Sequence, residues 1–219
     1  MRDYDLIIFD FDGTLADSRE GIVATVNHAL EATGYAAAEA EAIFRLVGLP
    51  LDEVFARLFA DLGLQGDPGP AVQAYRSGWV EVGHARITLF PGIAELLAEL
   101  QTRGRPMALA TGKSLKGVER SIKHFDLGGY FSAVATTDTV PRGKPFPDMV
   151  EKILGELGVA PGRTLMVGDT TYDLDMAHAA GAHSLAVSYG GHSRAELERA
   201  SPKFLVESPE ELAALLLEK

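Results

Sequence analysis

Five short apolar runs, each ending in a small or polar residue, are spread along the chain and separated by stretches of helical periodicity. They are LIIFD (6–10), PMALAT (106–111), AVAT (133–136), TLMVGD (164–169) and HSLAVS (183–188). Continuous apolar runs of this length suit strands that are buried on both faces. The segments beside them repeat at the helical period. Ile93, Leu96, Leu97 and Leu100 share a face, as do Leu115, Val118 and Ile122, then Met149, Val150, Ile153, Leu154 and Leu157, and last Leu212, Leu215 and Leu216. Strands alternating with helices in this way predict an α/β fold, a doubly wound parallel sheet covered on both faces.

The alternation breaks once. Nearly 90 residues after the first run contain no convincing strand but carry three helical stripes: Ile22, Val23, Val26 and Leu30; Val54, Phe55, Leu58, Phe59 and Leu62; and Val72, Tyr75, Trp79 and Val82. The stretch predicts an inserted helical domain at residues 17–88, with residues 1–16 and 89–219 forming one discontinuous core. ITLFPG (87–92) is expected to return the chain to the sheet, and the tract AAAEAEA (36–42) reads as a solvated helix start. Tyr75 and Trp79, at helical spacing, read as packing within the insert.

Composition narrows the partners. A formal charge of -11 argues against a nucleic-acid binder or a protein of anionic membrane surfaces. It does not exclude an anionic substrate, provided that positive charge is concentrated locally. With no cysteine there is no disulfide, thiolate zinc site or thiol nucleophile. No run approaches a membrane span, and Leu6–Phe9 is too short for a signal-peptide core, so a cytoplasmic protein is expected. Monomer and dimer both stay open.

In such sheets ligands bind beyond the C-terminal ends of the strands, where strand order reverses. The first expected strand ends at Asp10-Phe11-Asp12-Gly13-Thr14, the second at Thr111-Gly112-Lys113, and the fourth at Gly168-Asp169, with Asp173 four residues on. Lys144 lies in RGKPFPD after the third. One aspartate after a strand is usually a turn or cap residue. Three or four carboxylates, a hydroxyl and one or two lysines at one edge amount to a candidate site. In order, DFDGTLADS, ATGKS, GKPFPD and GDTTYDLDMAHAAG resemble the four motifs of the haloacid dehalogenase superfamily. The resemblance runs along the whole chain and is nearest to the phosphoglycolate phosphatases. It implies a Rossmann-like core with a small helical cap over the active site.

The residues suit hydrolysis of a phosphate monoester. Asp10 can attack phosphorus to give an aspartyl-phosphate, and Asp12 can protonate the leaving alkoxide and then activate water. Thr111, Gly112 and Lys144 would hold the phosphate. Mg²⁺ would take oxygens from the Asp10 carboxylate, the Asp12 backbone carbonyl and Asp169, with Asp173 behind them. The expected partner is a small phosphorylated metabolite. Arg45, in RLVGLPLDEV (45–54), is the candidate for a carboxylate or second phosphate on it, and Lys113 reads equally as a substrate contact or a surface lysine. The six histidines show no paired metal spacing. Asp12 argues against a dehalogenase, which has no alkoxide to protonate, and the lack of lysine in 17–88 argues against Schiff-base phosphonate cleavage. A sugar phosphomutase, a pyrophosphatase and a non-catalytic binding protein remain as alternatives.

Overall fold

The computed structural model describes residues 4–218; residues 1–3 of the expected core and Lys219 lie outside the described residues. β1 (Leu6–Phe9) and β2 (Ala16–Asp17) lead into four helices: α1 (Arg19–Ala32), α2 (Ala40–Phe44), α3 (Leu51–Asp61) and α4 (Gly69–Val82). A 3-10 turn (His84–Arg86), β3 (Thr88–Leu89) and α5 (Ile93–Thr102) follow. Then come β4 (Met107–Thr111), α6 (Leu115–His124), β5 (Ala133–Thr136), α7 (Asp148–Leu157), β6 (Thr164–Gly168) and α8 (Thr171–Ala179). The chain closes with β7 (His183–Val187), α9 (Arg194–Arg199), β8 (Phe204–Val206) and α10 (Pro209–Leu217).

Six strands form one sheet in the order β5-β4-β1-β6-β7-β8, with every neighbouring pair parallel. β1 is central: β4 and β5 build outward on one side, and the chain then crosses back to lay down β6 on the other. This reversal opens a crevice beyond the C-terminal ends of β1 and β6, where Asp10 and Asp169 follow their strands. Successive β1 side chains supply opposite faces. Leu6 and Ile8 pack with Met149, Ile153, Met166 and Met176, whereas Ile7 and Phe9 join the larger cluster that holds Ile93, Leu97, Leu212 and the helices before β3.

All five expected strands are present. The sixth sheet strand, β8, has only three residues. ITLFPG does not join this sheet: its Thr88 and Leu89 pair antiparallel with Asp17 and Ala16 in a separate two-stranded ribbon. That ribbon ties together the two chain segments that enter and leave the helical stretch. Within the stretch, α1 packs along α4, and Phe55 of α3 is fully buried with its ring 6.0 Å from that of Tyr75. Truncating Phe55 to Ala is expected to cost about 3–5 kcal/mol through the cavity it leaves. A denaturation midpoint almost unmoved would contradict this packing.

Candidate active site

The loop after β1 turns sharply around Gly13, whose φ is +81°. A Cβ at Gly13 would lie 2.0 Å from Asp169 Oδ2, so only glycine lets the loop pack on the β6 end. Asp169 is held on both oxygens: the Thr14 hydroxyl donates to Oδ1 at 3.0 Å and the Gly191 N–H to Oδ2 at 2.6 Å. Asp173 lies in the first turn of α8, where its Oδ2 accepts from the Thr170 N–H at 3.1 Å and the Thr170 hydroxyl at 2.7 Å, completing a capping box. Its Oδ1 is left for Lys144. The Lys144 ammonium lies 2.6 Å from Asp173 Oδ1 and 2.8 Å from Asp10 Oδ1, with all three side chains buried.

Carboxylate oxygens of Asp10, Asp169 and Asp173 lie within 4.8 Å of one another, the one such group of metal-ligating residues among the described residues. Three acids against one ammonium leave a surplus of buried negative charge. Burial, followed by the charges of Asp173 and Asp12, pushes the Asp10 carboxyl up to about 7 against the opposing pull of Lys144. Burial and the charges of Asp173 and Asp10 likewise raise Asp169. For Lys144, burial disfavours the charge, but Asp10 and Asp173 outweigh it and the ammonium is strengthened. A compact set of hard oxygen donors with excess negative charge fits a divalent cation, and fits zinc-type nitrogen or sulfur ligation poorly.

Asp12 stands apart from this cluster. Its Oδ2 is 2.8 Å from the Lys113 ammonium, and its buried Oδ1 has no hydrogen-bond partner among the described residues. Lys113 also lies 5.1 Å above the Trp79 ring and 5.4 Å from that of Phe11. It is therefore an interior residue of the cleft. Thr111 ends β4, and its hydroxyl accepts the Lys113 N–H at 3.3 Å. At Gly112 a Cβ would come within 2.8 Å of the Gly48 carbonyl, so this glycine is where the α2–α3 connection touches the sheet edge.

Between these parts lies a cavity of about 610 Å³. Asp10, Asp12, Thr111, Gly112 and Lys113 line its sheet end. Tyr75 and Trp79, stacked with ring centroids 5.5 Å apart, line it from α4, so the pair does more than pack the insert. Arg45 does not line the cavity: its side chain is exposed, and its backbone carbonyl accepts a hydrogen bond from His192 Nε2 at 3.2 Å. Lys116 and Arg120 of α6 do line it and were not singled out from sequence. Reading the polar face of the helix after ATGKS, as well as its apolar one, would have found them. His192 was also missed. Its Nδ1 accepts the Thr171 N–H at 3.1 Å, so its ring joins the β6–α8 loop to the end of α2.

The pattern of haloacid dehalogenase-like hydrolases matches residues 7–187. The chain belongs to this family. "Probable phosphatase IndB" of Dickeya dadantii is 35% identical over 205 residues, covering 93% of this chain and 89% of that one. The phosphoglycolate phosphatase of Escherichia coli K12 is 30% identical over 230 residues, covering 96% and 91%. The tyrosine-protein kinase PtkA of Mycobacterium tuberculosis is 36% identical over 185 residues, but these make up 84% of this chain and only 62% of the kinase. Among solved structures, a haloacid dehalogenase-like hydrolase from Streptococcus pneumoniae superposes with a TM-score of 0.86 at 28% identity, covering 99% of this chain and all of that one. Two of these relatives are named phosphatases, and phosphatases of this family generally use a divalent metal. No helix among the described residues is long and apolar enough to cross a membrane.

Proposed function

We propose that this hydrolase is a Mg²⁺-dependent phosphomonoesterase acting on a small phosphorylated metabolite through an aspartyl-phosphate at Asp10. One observation carries the reading: Asp10 opens onto the cavity beside Asp12 and Thr111 while its carboxylate is backed by the buried Lys144–Asp173 pair. An Asp10 oxygen attacks phosphorus and the bond from phosphorus to the ester oxygen breaks. Asp12 gives the leaving alkoxide its proton. It then takes a proton from the water that attacks the acyl phosphate, releasing inorganic phosphate and restoring Asp10. The Thr111 hydroxyl, the Gly112 N–H and Lys144 hold the phosphoryl oxygens, where developing charge is best met by fixed donors. Mg²⁺ would be held by Asp10, the Asp12 carbonyl and Asp169, with Asp173 behind, and would supply the charge neutralisation that lets two anions meet.

Residues 17–88 act in this reading as a cap that excludes water and shapes the substrate end of the cavity. 2-Phosphoglycolate is a first substrate to test because of the relatives' names, with hexose phosphates, pyrophosphate and nucleotides beside it. The kinase relative adds ATP as a donor to try. Hydrolysis of p-nitrophenyl phosphate with Mg²⁺ present, abolished by EDTA and restored by the metal, is the expected result. Activity indifferent to EDTA would defeat the reading. The metal site has a readout independent of catalysis. At a hundred times its Kd, Mg²⁺ is expected to stabilise the wild type by about 3 kcal/mol. Asp169→Asn should lose most of that gain, and an equal gain in both proteins would place the metal elsewhere.

A further inference from the structure

Three cations follow one another along a wall of the cavity. Lys113 precedes α6, and Lys116 and Arg120 follow at a four-residue spacing that puts them on one helical face. Lys113 is engaged with Asp12 at 2.8 Å. The three other acids lining this cavity are engaged as well, Asp10 with Lys144 at 2.8 Å. Asp52 pairs with Arg76 at 3.0 Å, and Asp138 accepts from the Leu115 N–H at 2.9 Å and from the Thr136 hydroxyl. Lys116 and Arg120 have no carboxylate within 4.0 Å among the described residues. A chain of formal charge -11 has acids to spare, yet among the described residues none forms an ion pair with either cation.

Nearby His84 lies within the field of these charges. Partial burial, then His124 and the positive charges of Arg120 and Lys113, hold its imidazole below the usual value. The remaining walls, from α1, α3 and α4, are largely apolar: Ile22, Val26, Val54 and the Tyr75–Trp79 stack. From Lys116 to Arg120 the helical rise amounts to roughly 6 Å, so the pair extends along the wall. A two-carbon phosphorylated acid, with bonds near 1.5 Å, spans only about 4 Å from phosphorus to its carboxyl carbon. Such a molecule is short beside a cavity of about 610 Å³.

We propose that Lys116 and Arg120 form a second anion site, and that the substrate is an elongated phosphomonoester with a carboxylate or second phosphate at the end remote from the ester cleaved at Asp10. The inference rests on the phosphatase reading and adds a length and a charge pattern to it. The apolar walls take the middle of the molecule, and Lys116 and Arg120 take its far end.

The test is a substrate series with Mg²⁺ present. It comprises alkanediol bisphosphates and phosphorylated hydroxy acids of increasing length, neutral alkyl phosphates of matched length, 2-phosphoglycolate and p-nitrophenyl phosphate. Wild-type kcat/KM should climb with length in the anionic-tailed series and exceed that of the matched neutral ester by about 10-fold or more, the worth of one or two charge-assisted hydrogen bonds. Preference between the bisphosphates and the phospho acids then names the anion. Lys116→Met with Arg120→Met should erase that advantage, lowering turnover of the long anionic esters at least about 10-fold more than that of their neutral matches. Identical length profiles for neutral and anionic tails would overturn the proposal, as would equal losses in both series or a clear optimum at 2-phosphoglycolate. A wild type that cleaves no ester, p-nitrophenyl phosphate included, would remove the phosphatase reading itself.

Discussion

Asp10→Asn is expected to abolish phosphatase turnover, by about 10⁴-fold or more, in a protein that still folds. The amide keeps the size of the side chain but has no oxygen basic enough to attack phosphorus. The fold should tolerate the change because the native cluster is over-charged: Asp10, Asp169 and Asp173 face one ammonium, and Lys144 keeps its 2.6 Å contact with Asp173. The sign of the pH effect follows from the raised Asp10 carboxyl. Its folded value of about 7 lies above the ordinary 3.8, so its contribution to stability is present below pH 4 and lost as the pH rises to 7. In EDTA the wild type should therefore lose midpoint relative to Asp10→Asn between pH 5 and about 7.5. A wild-type midpoint that gains on the variant over that range would contradict the buried, charge-crowded environment described for Asp10. Turnover within tenfold of wild type would remove Asp10 as nucleophile.

Lys144→Met should be the most damaging single change to stability at the site. Methionine matches the unbranched stem but removes the only ammonium within reach of Asp10 and Asp173 among the described residues. The buried acids then have nothing to offset their charge, and breaking such an arrangement from one side costs about 3–5 kcal/mol. The loss should be largest at neutral pH in EDTA and partly recovered at pH 5, where protonating the acids relieves it. Mg²⁺ should recover part of it as well, while turnover stays low because a phosphate donor has gone too. A stability change under about 1 kcal/mol would mean that the lysine is not the charge that makes the cluster tolerable.

The sheet was legible where burial is uniform. LIIF, MALAT and TLMVG are buried along their whole length, and AVAT and HSLAV nearly so, giving short, buried apolar runs that no helix among the described residues produces. β8 was not legible because three residues, two of them only half-buried, carry no periodicity. The β2–β3 ribbon was not legible for the same reason: two residues become a strand only through their partner. The acids and Lys144 could be grouped because each follows a strand whose end the sheet topology brings to one edge. Arg45 failed for the converse reason. On a short helix, which way an exposed arginine points is set by neighbours far along the chain, here the packing that turns only its carbonyl toward His192. Lys116 and Arg120 were not read from the sequence, which does not tell which helical face a cleft will meet. The Tyr75–Trp79 pair has the spacing of a packing stripe and packs as one, yet its ring stack also forms a cavity wall.

Passage of phosphorus through Asp10 is the step on which the proposed mechanism depends. It is tested most directly with Asp12→Asn and p-nitrophenyl phosphate, whose leaving group departs without a proton, so only water attack on the acyl phosphate is slowed. Rapid mixing with Mg²⁺, followed by borohydride quench and mass spectrometry of the peptide containing residue 10, reads the intermediate. A burst of about one nitrophenolate per protein is expected, with the Asp10 carboxyl reduced to the alcohol. A burst accompanied by modification at any other residue, or steady release with residue 10 untouched, would contradict it.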